Sequence, residues 1–192
     1  MNLTDWGLTY KILFLGDPAV GKRSIRDRIV TGEFQHEVKA TIGVPMNSIR
    51  LRVDGQEQPV KLLLWTPPGM FAGPRQYESM LRGQLGLIVI YDITRESTFD
   101  NLSLWLIDAL KHSSRILSVA IVGNKTDLRE VRIETIDTER GKEFAERISN
   151  EIDIPTIFLE TSAKTGENIP ELLPQLVGMM ISNFPDDPSS FF

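Results

Sequence analysis

The sequence predicts one α/β domain: a six-stranded, mostly parallel sheet flanked by helices. Three observations predict it. Short apolar runs recur along the chain. Amphipathic stretches at helical spacing separate them. Asp54-Gly55, a strong hairpin turn signal, lies between two adjoining runs. Strands alternating with helices need crossover connections, and these give a parallel sheet covered on both faces.

The first strand is read at Tyr10 to Leu15, a mostly apolar run that stops at Gly16. Ile25, Ile29 and Val30 follow Lys22 at helical spacing. Ser48 to Val53 alternates, with Ile49, Leu51 and Val53 against Ser48, Arg50 and Arg52. Pro59 to Trp65 follows the Asp54-Gly55 turn, so these two segments should pair antiparallel. Leu85 to Tyr91, Leu117 to Val122 and Thr156 to Leu159 complete the strands. The remaining helices are marked by Phe99, Leu102, Leu106 and Leu110, by Phe144, Ala145 and Ile148, and by Leu172, Leu173, Leu176 and Val177. Residues 1–183 are expected to form the domain. Residues 184–192, with two prolines, two aspartates and two serines before Phe191-Phe192, are expected to form a loose tail.

Composition narrows the function. The chain has 192 residues, enough for one core and short for two. A formal charge of −5 argues against a nucleic-acid binder, which needs a basic face. The cysteine count is 0, which excludes disulfides, thiolate metal sites, thiol catalysis and thioether or thioester lipid anchors. No apolar run approaches the roughly 20 residues that span a bilayer. The opening residues show neither a signal peptide nor a myristoylation glycine. A cytoplasmic protein with no lipid anchor of its own, reaching membranes only through a partner, is the expectation.

Gly16-Asp17-Pro18-Ala19-Val20-Gly21-Lys22 lies between the first strand and the first helix. That context suits a phosphate loop. Its glycines let backbone N–H groups turn inward on an anion, the helix N-terminus adds partial positive charge, and Lys22 adds a full one. The last position of such a loop is Ser or Thr, whose hydroxyl binds Mg²⁺. Here it is Arg23. Ser24 follows, but one step along a helix turns a side chain by about 100°, away from the metal position.

Asn124-Lys125-Thr126-Asp127 follows the fifth strand, and Glu160-Thr161-Ser162-Ala163-Lys164 the sixth. With the loop, these resemble the Ras superfamily of small GTPases. Thr41-Ile42-Gly43-Val44, Tyr91-Asp92-Ile93-Thr94 and the stretch Ser97 to Trp105 look most like its Rab branch. The resemblance runs from Tyr10 to Val177 with family spacing throughout.

The resemblance implies binding of GTP or GDP. Loop residues Asp17, Ala19, Val20, Gly21, Lys22, Arg23 and Ser24 would surround the phosphates. Asp127 would accept hydrogen bonds from the guanine N1–H and N2–H groups. Adenine lacks those donors and would leave the carboxylate desolvated and unpaired. Asn124 would brace the pocket, and the Lys125 stem would lie on one face of the base. Phe34 would pack on the other side of the nucleotide. The Ala163 N–H would meet guanine O6, with Ser162 and Lys164 holding that loop. Effector or regulatory proteins would engage segments near Thr41 and Met70.

The metal and hydrolysis half departs from the family pattern Trp-Asp-Thr-Ala-Gly-Gln. This chain has Trp65-Thr66-Pro67-Pro68-Gly69-Met70. Thr66 replaces the aspartate that holds Mg²⁺ through its water shell. Met70 replaces the glutamine that orients the attacking water, which a thioether cannot do. Gly69 keeps a backbone N–H for the γ-phosphate, and Thr41 keeps the residue that closes over it. Pro67-Pro68 stiffens the second switch, and Pro18 removes one N–H from the loop.

Two metal contacts are therefore missing together, at Arg23 and Thr66. Independent drift and a coupled loss are both open. In the coupled reading Arg23 stands in for the ion. A unit charge pair at about 4 Å and an effective dielectric of about 20 is worth about 4 kcal/mol before desolvation, so one guanidinium would supply roughly half of a divalent ion's attraction. The competing partner is Asp27, four residues on along the same helix face. Magnesium binding is in doubt either way. Guanine-nucleotide binding with weak Mg²⁺ dependence and very slow or absent hydrolysis is the expectation. A working GTPase switch with an atypical metal site and a nucleotide-free interaction scaffold are the alternatives.

Other residues read as structural. His36 and His112 are isolated, Trp105 is partly packed, and Met179-Met180 fill space. Glu134, Asp137, Glu139 and Glu143 form a solvated acidic stretch and not a metal cage.

Overall fold

The computed structural model describes residues 9–34, 46–53, 56, 59–67, 83–113 and 115–183. The strands are β1 (Thr9–Leu15), β2 (Met46–Leu51), β3 (Val60–Trp65), β4 (Gly86–Asp92), β5 (Ser118–Asn124) and β6 (Thr156–Thr161). The helices are α1 (Lys22–Thr31), α2 (Glu96–Asp100), α3 (Leu102–His112), α4 (Thr138–Ile152) and α5 (Ile169–Ser182), with a 3-10 turn at Thr126–Leu128. The strands form one six-stranded sheet in the order β2-β3-β1-β4-β5-β6. β2 runs antiparallel to β3 and the other pairings are parallel. This is the architecture the alternating pattern predicts. The Asp54-Gly55 turn between the antiparallel pair lies outside the described residues.

Alternation along β1 divides the core. Ile12 and Phe14 face one side, with Ile25 of α1 and Leu172, Leu176 and Val177 of α5. Leu13 and Leu15 face the other, with Leu102 and Leu106 of α3 and Phe144 and Ile148 of α4. β4 and β5 are buried along their whole length, as strands covered by helices on both faces must be.

The order also locates a site. From central β1 the chain reaches β3 on one side and β4 on the other. Ligands in open α/β sheets bind outside the carboxyl ends of the strands at such a reversal. The loop of residues 16–21 leaves β1 there.

Strand ends shift by up to two residues from the sequence reading, β4 and β5 running on to Asp92 and Asn124, and one helix divides. β2 starts at Met46 and ends at Leu51, because Leu51 pairs with Val60, the first residue of β3. The helix expected through Phe99 to Leu110 is two helices that meet at Asn101. Met180 is fully buried in the core, as expected of packing. Glu134, Asp137, Glu139 and Glu143 are exposed, and Asp137 caps α4 by accepting from the Glu139 N–H at 2.9 Å. Among the described residues no helix is long and apolar enough to cross a membrane.

Candidate nucleotide site

The loop after β1 is shaped by two glycines. Gly16 has φ +130°, and a Cβ there would stand 2.2 Å from the Ile90 carbonyl oxygen, so the loop lies hard against β4. Gly21 has φ +105° and precedes α1, with a would-be Cβ 2.1 Å from Asn124 Nδ2. Only glycine suits such positions. Lys22 opens α1 and is 8% exposed. Its Nζ donates to the Gly16 and Asp17 carbonyls at 2.6 and 2.7 Å, so the ammonium crosses back over its own loop. Burial pushes the Lys22 pKa down to about 8. The Asp17 carboxylate opposes that shift, and the Arg95 guanidinium adds to it.

Three side chains from the β4–α3 region hold the loop from outside. Asp17 Oδ2 accepts from Asn101 Nδ2 and Asp17 Oδ1 from Trp105 Nε1, both at 2.8 Å. Arg95 Nη2 donates to the Pro18 carbonyl at 2.9 Å. Trp105 is half-buried, as expected, and its indole N–H has a role that the sequence did not reveal.

The ends of β5 and β6 build the second wall. Buried Asn124 donates through Nδ2 to the Val20 carbonyl at 2.8 Å, tying this wall to the phosphate loop. Its Oδ1 accepts from Thr161 Oγ1 and from the Ala163 N–H, each at 3.2 Å. The Ala163 N–H is the group expected at guanine O6, and here it is turned to Asn124. Asp127 Oδ1 accepts from Ser162 Oγ at 2.6 Å, and Lys164 Nζ lies 3.6 Å from Asp127 Oδ2. One carboxylate is thus aimed by a hydroxyl on one oxygen and an ammonium on the other. Phe34 is half-buried and lines an open cleft of about 550 Å³ with Arg28, Gly32, Glu33, Lys164 and Thr165.

Lys125 adopts φ +76° and places Nζ 2.6 Å from Asp92 Oδ2. Asp92 also accepts from the Thr94 N–H, Thr94 Oγ1 and Arg95 Nε at 3.0, 2.7 and 3.0 Å. Burial alone would raise the Asp92 carboxyl. The Lys125 and Thr94 hydrogen bonds outweigh burial and hold it below the usual aspartate value.

The other half of the site is different in kind. Arg23 Nε lies 3.2 Å from Asp27 Oδ2, the second of the two partners open in the sequence. Asp27 Oδ1 accepts from the buried Arg26 at 2.5 Å. Thr66 is 4% exposed, and its Oγ1 has no hydrogen-bond partner among the described residues. Ser24 is half-buried on α1. Among the described residues no group of three or more His, Asp or Glu side chains is placed to hold a metal. Thr41, Gly69, Met70, Pro68 and His36 lie outside the described residues. His112 sits at the end of α3, its Nδ1 2.8 Å from the Asp108 carbonyl oxygen.

Comparison with known proteins agrees with this geometry. A Ras family profile matches residues 11–182. Ras-related protein RIC2 of Oryza sativa subsp. japonica is 36% identical over 165 residues, covering 86% of this chain and 71% of the relative. Ras-related protein Rab11B of Nicotiana tabacum matches with the same identity and coverage. Ras-related protein RABA5c of Arabidopsis thaliana is 34% identical over 174 residues, 91% of this chain and 77% of its own length. The six-stranded order, the loop that closes on Lys22 and these relatives together make the chain a member of the Ras family of small GTPases, in its Rab branch.

Proposed function

We propose that this protein binds GTP or GDP with weakened dependence on Mg²⁺ and hydrolyses GTP very slowly or not at all. The family binds guanine nucleotides, usually with Mg²⁺. Asp127, aimed by Ser162 and Lys164, is the acceptor for the two guanine donors, and Lys22 with the loop N–H groups is the phosphate cradle. Phe34 and the Lys125 stem flank the base, and Ala163 turns its N–H from Asn124 to the guanine oxygen. Effector or regulatory proteins would read segments near Thr41 and Met70.

The observation that carries the reading on magnesium is the pair Arg23 and Thr66. Mg²⁺ demands near-octahedral oxygen ligation. A guanidinium has no lone pair to offer, and here it neighbours the Asp27 carboxylate. Thr66 brings a neutral hydroxyl, with no hydrogen-bond partner among the described residues, where the family has a carboxylate. This donor set suits a bare polyanion better than a divalent ion. Hydrolysis, in this reading, lacks both the metal and the glutamine that positions water. Lys22, Thr41 and Gly69 would be left to orient the phosphates.

The test is a titration of the nucleotide-free protein with GDP, in Mg²⁺ and in excess chelator. Affinities within a few-fold of each other are expected. A loss of tenfold or more on chelation would identify a working switch with an atypical metal site. No binding in either condition would identify a scaffold. The double reversion Arg23→Ser with Thr66→Asp should restore Mg²⁺ dependence.

A further inference from the structure

Asp17 poses an electrostatic problem. Its backbone carbonyl already receives the Lys22 ammonium at 2.7 Å, so its carboxylate is within a side-chain swing of the charge that a phosphate would need. A carboxylate paired with that ammonium would compete directly with any bound polyanion. Yet among the described residues no ion pair joins Lys22 to the Asp17 side chain. Both carboxylate oxygens instead accept from Asn101 Nδ2 and Trp105 Nε1 at 2.8 Å each, and the carboxylate acts on the ammonium only through its field.

The two donors are placed for this. Asn101 and Trp105 are four residues apart across the start of α3, hence on one helix face, and each meets a different oxygen. Both are neutral, so they fix the carboxylate's direction without adding a cation to the loop. Arg95 holds the next residue by its Pro18 carbonyl while its Nε stays on Asp92.

We propose that Asn101 and Trp105 are positioning residues for phosphate binding, which hold the Asp17 carboxylate off Lys22 and so keep the ammonium open to a nucleotide's phosphates. The proposal rests on the nucleotide-binding reading above only for its ligand. The geometry of the clamp stands on the side chains alone.

The test uses the full chain carrying Asn101→Ala with Trp105→Phe, and the same pair with Asp17→Asn added. GDP affinity should fall about tenfold or more in the double variant and return to within about threefold of the parent when Asp17→Asn removes the competing charge. A double variant that binds like the parent overturns the proposal. So does a loss that Asp17→Asn fails to rescue, since damaged packing would be indifferent to that charge. If the double variant does not fold, Trp105→Phe alone, which keeps the ring and deletes only the N–H, is put through the same comparison. A crystal structure of the nucleotide-free variant separates this proposal from the function itself. The Asp17 carboxylate should lie within about 4 Å of Lys22 Nζ even if the parent binds no GDP, and a carboxylate still pointing at α3 overturns the clamp.

Discussion

Arg23 and Asp27 face each other across one turn of α1, with Nε 3.2 Å from Oδ2. The same carboxylate takes Arg26, whose side chain is 4% exposed. One acid thus restrains two cations in a helix whose first turn holds no acidic residue of its own. Cations there oppose the helix dipole unless an anion is close. Replacing Asp27 by alanine should remove this carboxylate's hold on Arg23 and tighten GDP binding in chelator by about threefold to tenfold. It should also lower stability by about 1–3 kcal/mol, since the buried Arg26 loses that partner. Titration and denaturant unfolding of one preparation check both. Tighter binding without the stability loss, or the reverse, would separate the two roles of the carboxylate.

Thr66 makes a second prediction. A hydroxyl buried without a partner is less stable than a methyl of the same shape. Thr66→Val should raise stability by about 1 kcal/mol, read as a higher denaturation midpoint at unchanged slope. Thr66→Asp alone should destabilise the metal-free protein, because it buries a charge. A destabilising valine would mean that the hydroxyl has a partner in solution.

Lys22 links the loop to pH. Burial in the folded chain lowers its pKa to about 8, and an unfolded chain holds the proton to about 10.5. Between those values the unfolded state binds more protons, so stability rises with pH. Relative to Lys22→Met, the nucleotide-free protein should gain up to about 3 kcal/mol from pH 8 to 10.5, and that gain is lost as pH falls back through 8. Nucleotide binding has the opposite sign, since phosphate favours the ammonium. GDP affinity should weaken above pH 8, and binding at pH 8.5 should take up a proton. Calorimetric titrations in two buffers of different ionisation enthalpy would show it.

What the sequence made legible was local. The loop from Gly16 to Lys22 follows β1 and the run from Asn124 to Asp127 starts on the last residue of β5, so spacing alone brought them to one end of the sheet. Asp17 with Trp105 and Lys125 with Asp92 are 88 and 33 residues apart, and neither pair leaves a periodic trace. The break at Asn101 was hidden because Phe99, Leu102 and Leu106 keep the helical apolar period across it. The strand reading stops β4 at Tyr91 and β5 at Val122 for a related reason. Asp92 and Asn124 end an apolar run in the sequence, but they pair with each other across the sheet.

The glycine at the head of the loop gives a prediction with its own control. At Gly16 an added Cβ meets a backbone oxygen of β4 at 2.2 Å, and φ of +130° is closed to other residues. Neither the strand nor the loop can yield without breaking the β1–β4 pairing around Ile12 to Leu15. Gly32 also has positive φ, +76°, as the C-cap of α1, but nothing among the described residues lies within 4 Å of its would-be Cβ. Gly32→Ala should therefore cost only about 1 kcal/mol, the conformational penalty by itself. Gly16→Ala adds a backbone collision and should cost about 3 kcal/mol or more. Urea unfolding of the two variants beside the parent measures the difference. Equal losses would mean that the loop does not lie against β4 in solution.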